Sequence, residues 1–357
     1  MIELYAKRRD LLRQSMRDCG LDAVLISYAA NRYYLSGFEL HDVQANESSG
    51  RLIISANGED YLVTDPRYKD AALKLWPEKY VEIYNRDSVQ TIAKVLRKCG
   101  LRIGLEIDAI SQGFFKSLVK ASVGLSFEPC DGLVEGLRII KGPDEIAALE
   151  KSFALNHAML AWLPGVLKEG QTEREIAWLI ERYFREHGAE ELAFPSIVAI
   201  DQNAALPHAI PTERKLTPEC LVLVDVGCRV NDYCSDQTRT FWFGEHPTAR
   251  FKETVELVQL AQSEAMKMMR PGVKMSDVYA KARSVFAKVG KELAFTHGLG
   301  HGVGLETHED PSLSYKREEL LAEGMVVTVE PGLYYPDWGG VRWEYTVIVE
   351  KDGVRQL

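Results

Sequence analysis

The sequence predicts an α+β protein in two parts, a smaller N-terminal α/β domain at residues 1–132 and a larger C-terminal domain at 133–357. Three observations predict this organisation. The chain has 357 residues, more than one hydrophobic core usually supports. Strand-like and helix-like segments alternate in the first part, and a helical segment with the same following motif occurs twice in the second.

Apolar, β-branched runs in the first part predict strands at "LDAVLISY", "RLIISA", "VEIYN" and "LRIGLEID". Amphipathic segments predict helices at "DSVQTIAKVLRKCG" and "SQGFFKSLVKA". Asp87 or Ser88 is the expected N-cap of the first of these helices, and Gly100 its stop signal. Such alternation is typical of a small α/β domain. The first part has no nucleotide-binding fingerprint and no cluster of potential metal ligands.

The dipeptide Gly142-Pro143 introduces the second part, because a proline suits the first turn of a long helix. The segments "EGQTEREIAWLIERYFREHG" at 169–188 and "PGVKMSDVYAKARSVFAKVG" at 271–290 then share the same glycine-to-glycine spacing. Each is followed by "ELAF". Two amphipathic helices can resemble each other by chance, but the repeated "ELAF" favours a duplicated half-domain.

Two strand pairs follow the repeated segments. "CLVLVDVGCRV" and "DYCSDQTRTFWF" predict a hairpin with Asn231-Asp232 at its turn. "MVVTVEPGLYY" and "GVRWEYTVIVE" predict a second hairpin. We therefore expect an antiparallel sheet with helices packed on one side.

The overall composition excludes several classes of function. A net charge of −9 favours neither a nucleic-acid partner nor an anionic membrane surface. The N-terminal segment "MIELYAKRRDLLRQSMRDCG" is highly charged and lacks the apolar stretch of a secretory signal. The six cysteines form no CxxC pair. We expect a cytoplasmic protein with reduced thiols.

Four carboxylates lie within the predicted strands, where acidic residues are depleted: Asp225, Asp236, Glu330 and Glu344. Each alone could be an ordinary hydrogen-bonded acid. Together they would place like charges in one site, and a pair of metal ions neutralises such a group best. Carboxylates combined with one imidazole suit Mn²⁺, Co²⁺, Fe²⁺ or Zn²⁺. Two such ions can activate a water molecule and polarise a carbonyl, which is hydrolase chemistry.

The stretch "THGLGHGVGLETHE" at 296–309 combines glycines with three histidines. A phosphate-binding fingerprint should open a helix, but "LETHEDPSLS" follows here and is not helical. The glycines instead favour a backbone that crowds around a buried site.

The combined motifs "VDVG", "SDQTRT", "GHGVGLETHEDP", "VEPGLYY" and "GVRWEY" resemble the metallopeptidase family of Xaa-Pro aminopeptidases, prolidases and methionine aminopeptidases. The catalytic domain of that family has the pita-bread fold, a duplicated half-domain. The stretch "LDAVLISYAANRYYLSGFE" resembles the creatinase/prolidase-type N-terminal domain. The resemblance thus covers nearly the whole chain.

This resemblance implies five metal ligands and two divalent ions, with Mn²⁺ expected and Co²⁺, Zn²⁺ or Fe²⁺ as alternatives. Asp225 would bind one ion, and His301 and Glu330 the other. Asp236 and Glu344 would bridge both ions. Glu330 would also carry a proton from the attacking water to the leaving nitrogen.

The resemblance also implies four substrate-side residues. His208 and His297 match histidines that face the substrate, and His308 matches one that stabilises the tetrahedral intermediate. Arg342 matches an arginine that organises the site.

Two positions depart from the family pattern. Tyr345 follows Glu344 where this branch often has aspartate, and we expect an adjustment without loss of activity. Ser312 stands where several short prolidases carry an arginine that would pair with a dipeptide carboxylate. Its presence favours an aminopeptidase that accepts longer Xaa-Pro-Xaa peptides, although another basic residue could bind the carboxylate.

The leading hypothesis is therefore a homodimeric Xaa-Pro aminopeptidase acting on peptides with proline at the second position. The first alternative is an Xaa-Pro dipeptidase (prolidase). Creatinase-like hydrolases share both domains but lack the metal ligands, so the five ligands argue against that class. A non-catalytic pita-bread binding scaffold is the last alternative.

Overall fold

The structure is a computed structural model that describes residues 2–42, 44 and 47–357. The chain divides into two compact units, Met1–Arg138 and Ile139–Leu357. The boundary expected near residue 133 stays a prediction. Among the described residues, none of the helices combines the length and the apolar character needed to cross a membrane. The six cysteines are free thiols.

The first unit is built from six helices and six strands within its described residues. The helices are α1 (Ile2–Cys19), α2 (Ala29–Ser36), α3 (Lys69–Leu75), α4 (Ser88–Cys99), α5 (Gln112–Ala121) and α6 (Glu135–Arg138). The strands are β1 (Ala23–Ile26), β2 (Gly50–Ser55), β3 (Tyr61–Thr64), β4 (Val81–Ile83), β5 (Arg102–Leu105) and β6 (Ser126–Pro129). They form one mixed sheet in the order β4-β3-β2-β1-β5-β6.

The α/β prediction for the first unit is confirmed, and helix α4 begins as expected. The Asp87 side chain accepts a hydrogen bond from the Gln90 backbone amide, and Gly100 follows the last helical residue. Helix α1 was not predicted from the sequence. Its segment is dominated by charged residues, and only a narrow stripe that includes Leu12 and Met16 is buried.

The second unit contains four helices: α7 (Pro143–Trp162), α8 (Glu173–Glu186), α9 (Ala249–Met268) and α10 (Met275–Ala287). Its first strands are β7 (Glu191–Leu192), β8 (Ile197–Ile200), β9 (Cys220–Val226), β10 (Cys228–Val230), β11 (Tyr233–Cys234) and β12 (Gln237–Phe243). The later strands are β13 (Gly300–Gly302), β14 (Glu309–Leu313), β15 (Val326–Val329), β16 (Gly332–Tyr335), β17 (Gly339–Arg342), β18 (Tyr345–Glu350) and β19 (Gly353–Gln356). Strands order as β12-β9-β8 in one sheet and β14-β13-β15-β18-β19 in another.

The internal repeat is a structural repeat. Helices α8 and α10 start at matching positions, with Thr172 and Lys274 as their N-caps. The matched apolar residues of the two segments are all fully buried: Ile176, Phe184, Val278 and Phe286. Pro143 occupies the first turn of α7, as expected.

Both predicted hairpins form. In the first, β9 pairs with β12 and β10 with β11, and Asn231 and Asp232 have the positive φ angles of 51° and 69° that a tight turn requires. In the second, β15 pairs with β18 and β16 with β17. The second hairpin is interrupted between these two ladders, which the sequence did not indicate.

Candidate metal centre and active site

A cavity of about 570 Å³ opens in the second unit. All nine residues that the sequence analysis selected line it: Asp225, Asp236, His301, Glu330, Glu344, His208, His297, His308 and Arg342. The structure therefore brings together side chains that are spread over more than 130 residues of sequence. The role of each stays a prediction.

The first hairpin contributes two carboxylates from one face. Asp225 on β9 pairs with Thr238 on β12, and Asp236 precedes Thr238 by two residues. Side chains two residues apart on a strand share a face, so both acids point into the cavity. Gly227 follows β9, and a Cβ there would collide with the carbonyl oxygen of Ser235. The close approach of the two strands therefore requires glycine.

The second hairpin contributes its carboxylates at the interruption. Val329 pairs with Tyr345 on one side of the break and Gly332 with Arg342 on the other, so the register places Glu330 opposite Glu344. The intervening Pro331 has no N–H to donate to a ladder.

The backbone groups freed at this break have other partners. Glu330 N donates to Leu299 O at 2.8 Å, and Glu344 N donates to Thr238 O at 3.2 Å. The second of these bonds ties Glu344 directly to the first hairpin.

His301 lies on β13 between two glycines. A Cβ at Gly300 would collide with the carbonyl oxygen of Thr328, and one at Gly302 with that of Asp310. The glycines therefore allow β13 to lie against both neighbouring strands.

The geometry of the five predicted ligands fits divalent cations. Oxygen atoms of Asp225, Asp236 and Glu344 lie within 4.8 Å of one another. His301 Nε2 lies 3.6 Å from Asp236 Oδ2 and 3.3 Å from Glu330 Oε1. Two carboxylate oxygens in this cluster, Asp225 Oδ1 and Glu344 Oε1, are buried and have no hydrogen-bond partner among the described residues. Such orphaned buried oxygens are what a bound cation would satisfy.

The ionisation of these groups also indicates a cation site. Burial, followed by the nearby Glu330 and Asp225, raises the pKa of Glu344 to about 8. Burial and the neighbouring Glu344 raise the pKa of Asp236 well above its usual range. For Glu330, burial raises the pKa, but the hydrogen bond and charge of His301 together with the nearby His297 and Arg342 outweigh it and lower the pKa to about 2. The acids cannot all ionise together at low cost unless a positive charge joins them.

His297 and Arg342 are connected through a residue that the sequence analysis missed. Tyr334 Oη lies 2.9 Å from His297 Nε2 and accepts a hydrogen bond from Arg342 Nη1 at 2.8 Å. Arg342 Nη2 donates to Asp225 Oδ2 at 2.7 Å. Burial lowers the pKa of His297, which keeps its imidazole neutral. Tyr334 lies four residues after Glu330 within "VEPGLYY", and a strand alternation from the glutamate could have identified it.

The other two histidines lie at more open positions of the cavity. His208 belongs to the segment between the turn at Asp201–Ala205 and β9, and its side chain is exposed. The His308 ring meets the His301 ring edge-on, with 4.1 Å between the centroids. Partial desolvation, followed by the nearby His301, lowers the pKa of His308. A neutral His308 imidazole can donate a hydrogen bond into the cavity.

Thr238 is a second residue that the sequence analysis missed. Its hydroxyl donates to Glu344 Oε2 at 2.9 Å and accepts from Arg342 Nε at 3.0 Å. It therefore orients a predicted ligand and a substrate-side residue at once. Its position two residues after Asp236 in "SDQTRT" was the available signal.

An arginine contacts the residue at each of the two positions that depart from the family pattern, Tyr345 and Ser312. The Arg239 guanidinium lies 4.5 Å from the ring centroid of Tyr345, and its Nη1 donates to the Glu344 carbonyl at 2.5 Å. Ser312 Oγ accepts a hydrogen bond from Arg317 Nε at 3.0 Å. The same guanidinium pairs with Asp310 at 2.8 Å.

Comparison with known proteins finds a family match for each of the two units of the chain. Residues 147–351 match metallopeptidase family M24, and residues 8–140 match the creatinase/prolidase N-terminal domain. The chain is 34% identical to an Xaa-Pro dipeptidase of Pyrococcus horikoshii, over 94% of this chain and 92% of that protein.

Solved structures with the same fold carry two different names. An Xaa-Pro dipeptidase from Bacillus anthracis superposes with a TM-score of 0.92 at 30% identity, covering 99% of this chain and 97% of that one. An X-Pro aminopeptidase from Thermotoga maritima has a TM-score of 0.84 at 31% identity, with coverage of 96% and 97%. The family and the pita-bread fold that the sequence motifs implied are thus confirmed. The chain belongs to metallopeptidase family M24, a family of divalent-metal peptidases, and carries the creatinase/prolidase N-terminal domain in front of its catalytic domain.

Proposed function

We propose that this protein is an Xaa-Pro dipeptidase that hydrolyses the bond between an N-terminal residue and proline. The observation that carries the proposal is the convergence of the five predicted metal ligands and the four predicted substrate-side residues on one cavity. The full-length similarity to proteins named Xaa-Pro dipeptidase supports this alternative better than the aminopeptidase that Ser312 led us to expect.

The five ligands would hold two divalent ions, and Mn²⁺ suits the oxygen-rich set best. Bound ions would activate the attacking water and polarise the scissile carbonyl. Asp225 would hold one ion, and His301 and Glu330 would hold the other. Asp236 and Glu344 would contribute to both.

The protein's own groups then handle protons and orient the peptide. Glu330 lies beside the predicted metal ligands as a carboxylate and would accept the proton of the attacking water. It then delivers that proton to the leaving proline nitrogen. His308 donates to the developing oxyanion, and His208 and His297 face the peptide from the other walls.

The proline side of the substrate needs shape complementarity, because its imide nitrogen has no N–H to recognise. One wall of the cavity is apolar, formed by Phe194, Pro195, Ile197, Pro207, Ala209, Ile210 and Pro211. This wall is suited to a pyrrolidine ring.

A paired substrate assay tests the proposal. Xaa-Pro dipeptides and Xaa-Pro-Xaa tripeptides of matched N-terminal residue are incubated with protein reconstituted separately with Mn²⁺, Co²⁺ and Zn²⁺. We expect the dipeptides to be hydrolysed, and we expect the rate of hydrolysis to be highest with Mn²⁺. Tripeptide hydrolysis without dipeptide hydrolysis would instead establish the aminopeptidase. Less than one ion per chain and no turnover of either peptide would indicate a non-catalytic scaffold.

We also propose a homodimer acting in the cytoplasm, by analogy with the family and from the free thiols and the charged N-terminal segment. Light scattering coupled to gel filtration measures the first, and a monomeric mass would overturn it.

A further inference from the structure

One buried acid of the second unit takes no part in the cavity chemistry. Glu173 is the first residue of α8, and its side chain is fully buried. Its Oε1 accepts from Ile200 N at 2.7 Å. Its Oε2 accepts from Asn203 Nδ2 at 2.8 Å, from Thr212 N at 2.7 Å and from Thr212 Oγ1 at 2.6 Å. Four hydrogen bonds therefore converge on one carboxylate, and all four donors lie within residues 200–212, from the last residue of β8 through the loop that follows it.

That loop, residues 200–212, forms a wall of the cavity. It carries His208 together with Pro207, Ala209, Ile210 and Pro211. The first and last bonds of Glu173 are to its two ends. The loop has a further attachment at its middle, where Pro207 O accepts from Arg342 Nη1 at 3.2 Å.

The duplicated half of the molecule shows that a carboxylate is not needed to start this helix. Helix α10 begins at the equivalent position with Met275, whose backbone N–H donates to Glu319 O at 3.0 Å. The Glu173 backbone N–H makes the same kind of bond to Arg214 O at 3.0 Å. The N-terminus of α8 is capped by Thr172 and Glu175: Thr172 Oγ1 accepts from Glu175 N at 3.1 Å, and Glu175 Oε2 accepts from Thr172 N at 2.7 Å. The Glu173 carboxylate therefore serves the loop.

We propose that Glu173 is a positioning residue that clamps loop 200–212 and so sets where His208 and the apolar wall meet the peptide. This inference rests on the proposed peptidase function for its kinetic part only. The carboxylate acts through the loop, since it lies outside the cavity lining and touches none of the predicted metal ligands.

The variant Glu173→Gln tests the clamp, because it keeps the size of the side chain and replaces one acceptor oxygen by an amide donor. That donor would face the donors of Asn203, Thr212 or Ile200, so at least one bond is lost and replaced by repulsion. We expect kcat/KM for Xaa-Pro to fall roughly 10- to 100-fold, mainly through a higher KM. Metal stoichiometry should stay unchanged. Hydrogen exchange should accelerate in peptides covering 200–212 while the interior of α8 stays protected.

The matched control is Glu175→Gln, which changes an acid two residues away on the same helix without touching the loop. It should leave KM and loop exchange as in the wild type. Equal KM and equal loop exchange in Glu173→Gln and the wild type would overturn the proposal. An equal increase of KM and of loop exchange in both variants would also overturn the proposal, because it would show that the substitutions act only on the stability of α8.

Should Glu173→Gln fail to fold, Glu173→Met copies the residue of the duplicated half and removes the acceptors without adding donors. The exchange measurement needs no turnover. A wild type that lacks peptidase activity but protects loop 200–212 would therefore reject the proposed function and leave the clamp standing.

Discussion

The two hairpins of the catalytic unit follow one plan but divide the chemistry unequally. Asp225 and Asp236 lie in the first hairpin, and Glu330 and Glu344 occupy corresponding places in the second. The neighbouring strand differs. Asp225 faces Ile197 on β8, while Glu330 N donates to the carbonyl of Leu299, the residue before β13, so Ala199 of the first half corresponds to His301 of the second. The duplication places carboxylates at corresponding positions of the two hairpins. The two halves differ because the second half has His301 where the first has Ala199.

The hairpins also support each other across the pseudo-symmetry. Thr238, two residues after Asp236, donates to the Glu344 carboxylate. Thr346, two residues after Glu344, donates to the Asp236 carbonyl at 3.3 Å. Each half therefore positions the acid that the other half contributes, which makes the site dependent on both halves being correctly packed.

The largest expected effect is a loss of kcat on substitution of Glu330, and it should differ in kind from the effect of substituting Asp225, the corresponding acid of the first hairpin. Glu330→Gln should lower kcat by on the order of 10³- to 10⁴-fold, because an amide cannot accept and pass on the proton of the attacking water. Asp225→Asn should act differently, by weakening the binding of one ion. Steady-state kinetics with metal analysis on both variants measures this difference.

The control for these variants is their unchanged fold, checked by circular dichroism. A near-normal kcat in Glu330→Gln would contradict the proposal that Glu330 transfers a proton. Restoration of Glu330→Gln to full activity by excess Mn²⁺ would assign the residue to metal binding alone.

The next largest effect is expected for two cavity histidines, one from each half of the catalytic unit. His308→Ala should lower kcat by roughly 10²–10³, the size of a lost oxyanion donor. His208→Ala should raise KM instead, because this exposed residue faces the peptide from the loop of the first half. Kinetics on an Xaa-Pro dipeptide series tests both, and similar kcat losses in the two variants would contradict the division of roles.

A third prediction concerns the pH dependence of the metal-free protein. The folded-state pKa of Glu344 is about 8, above its ordinary 4.5, so the folded protein binds a proton that the unfolded chain releases between these values. The free energy of unfolding should therefore fall as pH rises through this window. Asp236 acts in the same direction. The low pKa of Glu330 stabilises the fold at every pH above about 4.5 and adds no slope in this window.

Bound metal requires ionised carboxylates and should remove this pH dependence. Melting temperatures from pH 5 to 8, with EDTA and with Mn²⁺, measure the effect. We expect the gap between the two curves to widen by several degrees as pH rises. Parallel curves would show that the acids of the two hairpins ionise independently of the metal.

The sequence predicted the composition of the site better than its arrangement. Asp225, Glu330 and His301 stand out because acids and glycine-flanked histidines are unusual in strands. The break at Pro331 and the link from Glu344 to Thr238 could not be predicted, because they depend on how the two hairpins pack. The role of Glu173 could not be predicted for the same reason, since its hydrogen-bond donors lie 27 to 39 residues away in the sequence.

The smallest expected effect concerns Tyr345, the residue after Glu344, which corresponds to Gln237 of the first hairpin. The Arg239 guanidinium lies over the Tyr345 ring and holds the Glu344 carbonyl. Tyr345→Ala removes a cation–π contact of about 1 kcal/mol, which should weaken Mn²⁺ binding several-fold by calorimetry. Tyr345→Phe keeps the ring and should bind as the wild type does. If Tyr345→Ala also binds normally, the hydrogen bonds of Arg239 and its contact with the Trp343 ring, whose centroid lies 4.9 Å away, are enough to hold the guanidinium, and the Tyr345 ring is not needed to position Glu344.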